Sequence, residues 1–362
     1  MAFLVGTDEA GYGPNLGPLV ISASVWHVPD DMADGALYRR LEAAVTAQPR
    51  RVAGAGAPRV VIADSKLLYH GGQGLRLLER GLWAAWWAEQ RTLPDSLAAP
   101  ACAQEKPPGQ SPIPNPQPLV PATPTGAQEK VPATFAAVWQ RLAGASAAGR
   151  HAALCDACDA LRAPLDADPQ ELRRLGPTFD AALAAAGVRL LALESLAIFP
   201  AELNEALRQY GSKGEALSRW TLGLLVRVLA PLGDERIQIF CDKHGGRNRY
   251  LPLLVEFFPE HFIQSRGEGR QRSVYRFGPP HRRLEICFQA KGESHLPTAL
   301  ASMASKYLRE LAMRALNAFW GPRVPGLRPT AGYPQDARRF RNDIAATRRE
   351  LGIEERVLWR VK

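Results

Sequence analysis

Four carboxylates carry the chemistry that this sequence can do: the adjacent Asp8 and Glu9, Asp242, and Glu293. Each follows an apolar run, residues 2–5 before the first pair, 237–241 before Asp242, and 284–289 shortly before Glu293. Short apolar runs rich in branched side chains read as buried strands. Acids at or just past the ends of such strands can converge at one edge of a sheet, where open α/β proteins gather their ligands. Convergent acids repel one another unless a cation sits among them. With no thiol or histidine in the set, they suit a hard, oxygen-loving ion, Mg²⁺ or Mn²⁺, rather than zinc. Two such ions roughly 3.5 to 4 Å apart activate water and stabilise the leaving oxygen in phosphodiester hydrolysis. Residue types alone leave a plainer alternative open, namely exposed acids that cap turns and helices.

The elements that must position these acids follow from the same patterns. Residues 2–7 and 19–26 predict two strands joined by a Gly/Pro turn. Residues 59–63 predict a third buried strand, with a turn or helix start at Asp64-Ser65-Lys66. Residues 75–90 carry Leu, Trp and Ala at helical spacing, with Trp83, Trp86 and Trp87 on or near one face. Strand-like sequence resumes at 188–193 and 196–199. A helix is expected over 214–229, strands over 237–241 and 284–289, and a long helix over 297–319. Alternating strands and helices indicate an α/β core.

The expected organisation has four parts: a first part of the core at 1–75, an insertion at 76–195, a second part of the core at 196–320, and a basic C-terminal segment at 321–362. Within the insertion, residues 94–132 are dense in proline and poor in large apolar side chains, which predicts a mobile linker or long surface loop. Residues 133–187 are alanine-rich with helical periodicity. No internal repeat stands out.

Of the 362 residues, 45 are Lys or Arg and 36 Asp or Glu, a formal net charge of +9. The excess is in the second half: residues 201–362 hold 28 basic and 17 acidic side chains, against 17 and 19 in residues 1–200. A basic surface draws polyanions, of which nucleic acid is the commonest; solubility is the simpler account. No apolar run has the roughly 18 residues of a membrane span, and no secretory pattern opens the chain, so a soluble cytoplasmic protein without a membrane partner is expected. Five cysteines, an odd and scattered number, do not suggest a disulfide framework.

Other clusters weigh less. The run Lys243-His244-Gly245-Gly246-Arg247-Asn248-Arg249 could bind phosphate or be a basic loop. Cys155 and Cys158 form a lone CxxC, too few ligands for zinc. His244 and His295 flank the acids and are expected to be surface histidines.

The segment DEAGYGPNLGPLV, residues 8–20, resembles the DEAGRGP…GP signature of the type 2 ribonuclease H family, that of ribonucleases HII and HIII. Asp64-Ser65-Lys66-Leu67 is similar to the DSK-L that follows it there. IFCD at 239–242 resembles the strand ending in the family's third acid. KGESHLPTALASMASKYLRELAM at 291–313 resembles the run with the fourth acid and its helix, and GYP at 332–334 the later tyrosine segment. The resemblance covers residues 1–70 and about 196–335, and nothing in 76–195.

It implies a ribonuclease H-like fold, an α/β mixed sheet flanked by helices. It also implies cleavage of the RNA strand of RNA/DNA hybrids, or of ribonucleotide-containing DNA, with two Mg²⁺ or Mn²⁺ ions, leaving a 3′-hydroxyl and a 5′-phosphate. Asp8, Glu9, Asp242 and Glu293 take the catalytic and metal-binding roles in this reading. Gly11, Tyr12 and Gly13 line up with the loop that meets the ribose, because glycines allow close backbone approach and the 2′-hydroxyl alone marks RNA. Lys66, Lys306 and Arg309 are expected on phosphates, and Tyr333 against a deoxyribose. Three departures mark this chain: Tyr12 replaces an arginine, Glu293 an aspartate, and the threonine and histidine expected soon after Tyr333 are absent. They leave two rivals, a binding protein of the same fold without turnover and a DNA nuclease or resolvase of the same fold.

Overall fold

The computed structural model describes residues 1–32, 36–49, 59–69, 74–89, 134–143 and 162–361. The proline-dense segment and the CxxC pair lie outside these residues. The strands are β1 (Ala2–Ala10), β2 (Leu19–Val28), β3 (Val45–Thr46), β4 (Val60–Val61), β5 (Arg189–Ile198), β6 (Arg236–Asp242), β7 (Gln264–Glu268), β8 (Arg272–Phe277) and β9 (Leu284–Gln289). Seven of them form one mixed sheet in the order β5-β2-β1-β6-β9-β8-β7. β1, β6 and β9 run parallel at its centre, and β2, β5, β8 and β7 add antiparallel flanks.

β1 is central because every side chain from Ala2 to Asp8 is buried, as a strand covered on both faces requires. Its alternation divides the interior. Ala2 and Leu4 join a cluster with helices Arg76–Glu89, Pro169–Ala185 and Leu296–Trp320. Phe3 and Val5 join another with helices Lys213–Leu229 and Leu251–Phe257. The sheet is thus flanked by helices on both sides, the architecture that the resemblance implied. Helices 76–89 and 169–185 pack into the same core as the sheet.

One close approach sets the site. At Gly6, two residues before Asp8, a Cβ would overlap the Pro297 and Thr298 backbone. Only glycine lets the start of helix 296–320 rest directly on β1. Ser24 Oγ donates to Pro297 O (2.7 Å) and Thr298 Oγ1 to Phe240 O (3.1 Å), fixing that helix to β2 and β6.

Several expectations change in detail. In the run at 59–63, residues 60–63 are buried, yet only Val60 and Val61 pair, with Val45 and Thr46 in a separate two-stranded sheet. The two short strands expected over 188–199 are one, β5. The helical stretch expected over 133–187 contains helices Phe135–Ala143 and Pro169–Ala185 among its described residues. Strands β7 and β8 were not foreseen. No described helix is long and apolar enough to cross a membrane.

Candidate metal centre and nucleic-acid interface

Asp8 lies near the end of β1 and Asp242 ends β6. Because the strands are parallel with Thr7 opposite Cys241, the two acids occupy neighbouring strand ends. Ligand oxygens of Asp8, Glu9 and Asp242 lie within 4.8 Å of one another. Glu293 stands outside this triad, in the 3-10 turn Gly292–Ser294 beyond β9, which Lys291 enters in a left-handed conformation (φ 62°). The turn reaches the triad through the Gly292 amide, which donates to Asp242 Oδ1 (3.2 Å).

Helix 296–320 supplies partners that the sequence reading did not assign. Ser302 hydrogen-bonds the Asp8 side chain and donates to Ser65 Oγ (3.0 Å). Ser305, one turn on, donates to the Asp8 carbonyl (3.0 Å), and its hydroxyl lies 2.7 Å from Ser22 Oγ. Serines three residues apart on one helix face, directly opposite an acid-bearing strand, are the signal that could have found them.

The electrostatics are those of an acid cluster short of cations. Burial, then Glu9, Asp242 and Glu293, holds the Asp8 carboxyl well above its ordinary range. Burial and then Asp242 push Glu9 up to about 8. Burial also raises Asp242, against the Gly292 amide, and raises Glu293. Lys66 is the nearby cation, with Nζ 3.9 Å from Glu293 Oε1. Partial burial works to lower its pKa, but Asp64, Glu293, Asp8 and Asp242 raise it on balance. One buried and two partly buried carboxylates with one mostly exposed ammonium at their rim fit a hard divalent ion, whose charge removes the repulsion and whose preferred donors are oxygens.

The glycine loop runs beside the acids. Gly11 has φ 89°, and a Cβ there would lie 2.6 Å from Pro18 O and 2.9 Å from Arg309 Cδ; at Gly13 it would meet nothing within 4 Å. The two glycines should therefore respond differently. Gly11→Ala is expected to destabilise the fold by more than the roughly 1–2 kcal/mol that left-handed backbone costs an L side chain, because its Cβ would also overlap the Pro18 carbonyl. Gly13→Ala should stay within about 0.5 kcal/mol of wild type. Urea denaturation of the two variants measures this, and equal losses would contradict the geometry.

Tyr12 is half-buried against the apolar cluster around helix 213–229. Its hydroxyl abuts Gly245, where a Cβ would sit 2.5 Å from it. Tyr333 is 55% exposed and next to Gly332, whose carbonyl accepts from the Asn15 amide (2.8 Å), so the later tyrosine segment meets the glycine loop.

Among the expected phosphate contacts, Lys66 is the exposed one. Lys306 donates to Glu310 Oε1 (2.6 Å) and lies 4.2 Å from the centre of the Tyr69 ring. Arg309 is 2% exposed and donates to the Leu16, Pro18 and Ala331 carbonyls. Both are engaged inside the protein.

The histidine expectation is corrected. His244 is buried (2% exposed), its Nδ1 lies 3.0 Å from Ser218 Oγ, and burial followed by Arg247 pushes it down to about 3. His295 is partly buried, stacked on Phe240 at 3.8 Å. In the basic run, Lys243 donates to Gly269 O (2.6 Å) and Asn248 Oδ1 (3.0 Å), and Arg247 pairs with Glu215, so two of its cations secure the protein's own loops.

No protein-family profile and no curated protein matches this chain. Among solved structures, it is similar to the RNase HII of Archaeoglobus fulgidus seen in a complex with PCNA, with 14% identity and TM-score 0.37, over 99% of this chain and 94% of that one. It is also similar to ribonuclease H2 from Pyrococcus horikoshii OT3, with 12% identity and TM-score 0.38, over 98% and 92% of the two chains. A third similar structure is Bst-RNase HIII in complex with Mn²⁺, with 13% identity and TM-score 0.39, over 99% of this chain and 66% of that one.

Proposed function

We propose that this protein is a metal-dependent endonuclease that hydrolyses the RNA strand of RNA/DNA hybrids, leaving a 3′-hydroxyl and a 5′-phosphate. The observation that carries the proposal is the convergence of Asp8, Glu9 and Asp242 within 4.8 Å, with Glu293 on the adjoining turn. The motif resemblance, with its blocks in the family's order, supports the substrate.

Asp8, Glu9, Asp242 and Glu293 would hold two Mg²⁺ or Mn²⁺ ions. When bound, such ions lower the pKa of water and stabilise charge on the leaving oxygen. The chain's own residues do the rest. Ser302 and Ser305 orient Asp8 through its side chain and its carbonyl, and the Gly292 amide orients Asp242. Lys66 meets the phosphate next to the scissile bond, where a bound backbone needs counter-charge. Gly13 leaves open space for the ribose edge, and exposed Tyr333 gives a flat surface for the neighbouring sugar.

The experiment compares three duplexes of one sequence, all-DNA, RNA/DNA hybrid and DNA with a single ribonucleotide, each with Mg²⁺, Mn²⁺ or EDTA. Metal-dependent cutting of hybrids is the expected outcome. Cutting of all-DNA would favour a DNA nuclease of the same fold, and binding of hybrids without cutting would favour the non-catalytic rival. Lys66→Gln should weaken hybrid binding about equally for all sequences and reduce the slope of log K against log salt by about 1; an unchanged slope would remove Lys66 from the interface.

A further inference from the structure

Two guanidinium groups lie beneath the glycine loop, and neither forms an ion pair among the described residues. Arg360 is 0% exposed. It donates from Nε to Gly17 O (2.8 Å), from Nη1 to Gly11 O and to Pro14 O (3.3 Å), and from Nη2 again to Gly17 O. Its backbone is joined to the same loop: its amide donates to Asn15 O (2.9 Å), and Asn15 Nδ2 donates to its carbonyl (3.2 Å). Arg309 holds the loop's far side through Leu16 O and Pro18 O (2.9 Å). All these acceptors are neutral main-chain carbonyls.

Burying an unpaired charge costs several kcal/mol, and two neighbouring ones add repulsion, which with burial pushes Arg360 down to about 9. A neutral side chain would attach the C-terminal segment more cheaply. What two buried cations do that a neutral side chain cannot is turn a whole set of carbonyls inward. In a planar trans peptide the C=O and N–H point in opposite directions. Drawing the Gly11 carbonyl down towards Arg360 therefore turns the Tyr12 amide outward, and among the described residues no acceptor takes that amide. Of the three peptides held this way, the Asn15 amide already donates to Gly332 O and Pro18 has no N–H, so the loop presents the single Tyr12 amide, backed by positive charge, which suits a hydroxyl or phosphate oxygen.

We propose that Arg360 is a positioning residue: by holding the Gly11, Pro14 and Gly17 carbonyls from beneath, it fixes the glycine loop in the conformation that receives the RNA strand. Selectivity for ribonucleotides then depends on a side chain 349 positions from Gly11 and outside the segments that resemble the family. This rests on the hybrid-cleavage reading. Arg360 itself touches no substrate, since it has no exposed surface.

The test uses Arg360→Gln, Arg360→Lys and Asn204→Ala in the full chain. Asn204 holds the C-terminal segment from the other side, bonding the Trp359 carbonyl (2.8 Å) and the Val361 amide (2.9 Å) without touching the loop. Binding of a hybrid and of the matching DNA duplex is measured on an Asp242→Asn background that prevents cutting, with amide hydrogen exchange over residues 11–18. Arg360→Gln is expected to weaken hybrid binding about tenfold, the loss of one or two hydrogen bonds, to change DNA binding little, and to speed exchange in the loop. Arg360→Lys keeps the charge but cannot span three carbonyls, so it should recover stability more than selectivity. Asn204→Ala should shift selectivity in the same direction by less. A folded Arg360 variant with the wild-type ratio of hybrid to DNA affinity overturns the proposal. If neither Arg360 variant folds, Asn204→Ala decides, and an unchanged ratio there overturns it. Wild-type protein with no preference for hybrids would overturn the underlying reading instead, a result seen before any substitution is made.

Discussion

Asp8→Asn and Asp242→Asn are expected to lower the rate of hybrid hydrolysis about a thousandfold or more while raising the melting temperature of the metal-free protein. The first half follows from the several kcal/mol of transition-state stabilisation that bound divalent ions supply, each 1.36 kcal/mol being roughly tenfold in rate. The second half follows from the charge balance in the site. Burial raises the pKa of all four acids, repulsion from neighbouring carboxylates adds to it at Asp8, Glu9 and Glu293, and mostly exposed Lys66 is the nearby cation. Asparagine keeps the volume and hydrogen-bonding shape of aspartate but removes one repelling charge. Relief of about 1 kcal/mol would appear as roughly 1–2 °C in a chain of this size. Adding Mg²⁺ or Mn²⁺ should raise the melting temperature of wild type, because the ion binds only the folded state, and should raise that of the variants much less. Thermal melts in EDTA, Mg²⁺ and Mn²⁺ read this without any turnover. Variants that melt lower than wild type in EDTA, or that gain as much from metal, would mean that these carboxylates are not held in mutual repulsion and do not share an ion.

The acids were legible because their strands are. β1, β6 and β9 are short, apolar and buried, and each ends in or just before a carboxylate, so pattern alone predicted neighbouring ends. What the pattern cannot state is partnership. The run at 59–63 is as apolar as β6, since burial and not pairing is what makes a segment apolar, and it belongs to a separate two-residue pairing. Pattern alone divides β5 in two because Glu194 and Ser195 interrupt its hydrophobic run, whereas the Ser195 hydroxyl is satisfied inside the sheet by Ser22 at 2.7 Å. β7 is exposed along its whole length and carries no apolar signal at all. The same limit governs the site. Lys306 and Arg309 sit on a helix that reaches the site, so their charge suggested phosphate, but charge does not tell whether a carboxylate or a carbonyl inside the protein has already taken the donor. Arg360 lay beyond every motif, and its function as a ligand to the glycine loop arises only from contacts across almost the entire chain.

Glu79→Ala is expected to be among the most destabilising single substitutions in the protein, at about 3–5 kcal/mol, the range for removing one member of a buried ionic or hydrogen-bonded set. Glu79 is 0% exposed, and in sequence it is one charge in an ordinary helical pattern. In the fold its carboxylate collects three successive amides, those of Leu165 (2.5 Å), Asp166 (2.9 Å) and Ala167 (2.7 Å), and the Tyr307 hydroxyl (2.9 Å). It thereby joins helix 76–89, the segment leading into helix 169–185, and helix 296–320, which carries Ser302 and Ser305. Alanine leaves four donors facing a cavity, each costing about 1–3 kcal/mol if water does not reach it. Tyr307→Phe removes one donor and leaves the acceptor with three, so it should cost only about 0.5–1.5 kcal/mol. Urea titrations of the two single variants and the double variant measure this, and the double should fall short of their sum because both remove the same bond. Hydrolysis by Tyr307→Phe should stay near the wild-type rate, since Asp8 retains its bonds to Ser302 and Ser305 on the next turn. A Glu79→Ala protein as stable as wild type would show that the segment at 165–167 finds other acceptors, and that the carboxylate does not anchor it to the core.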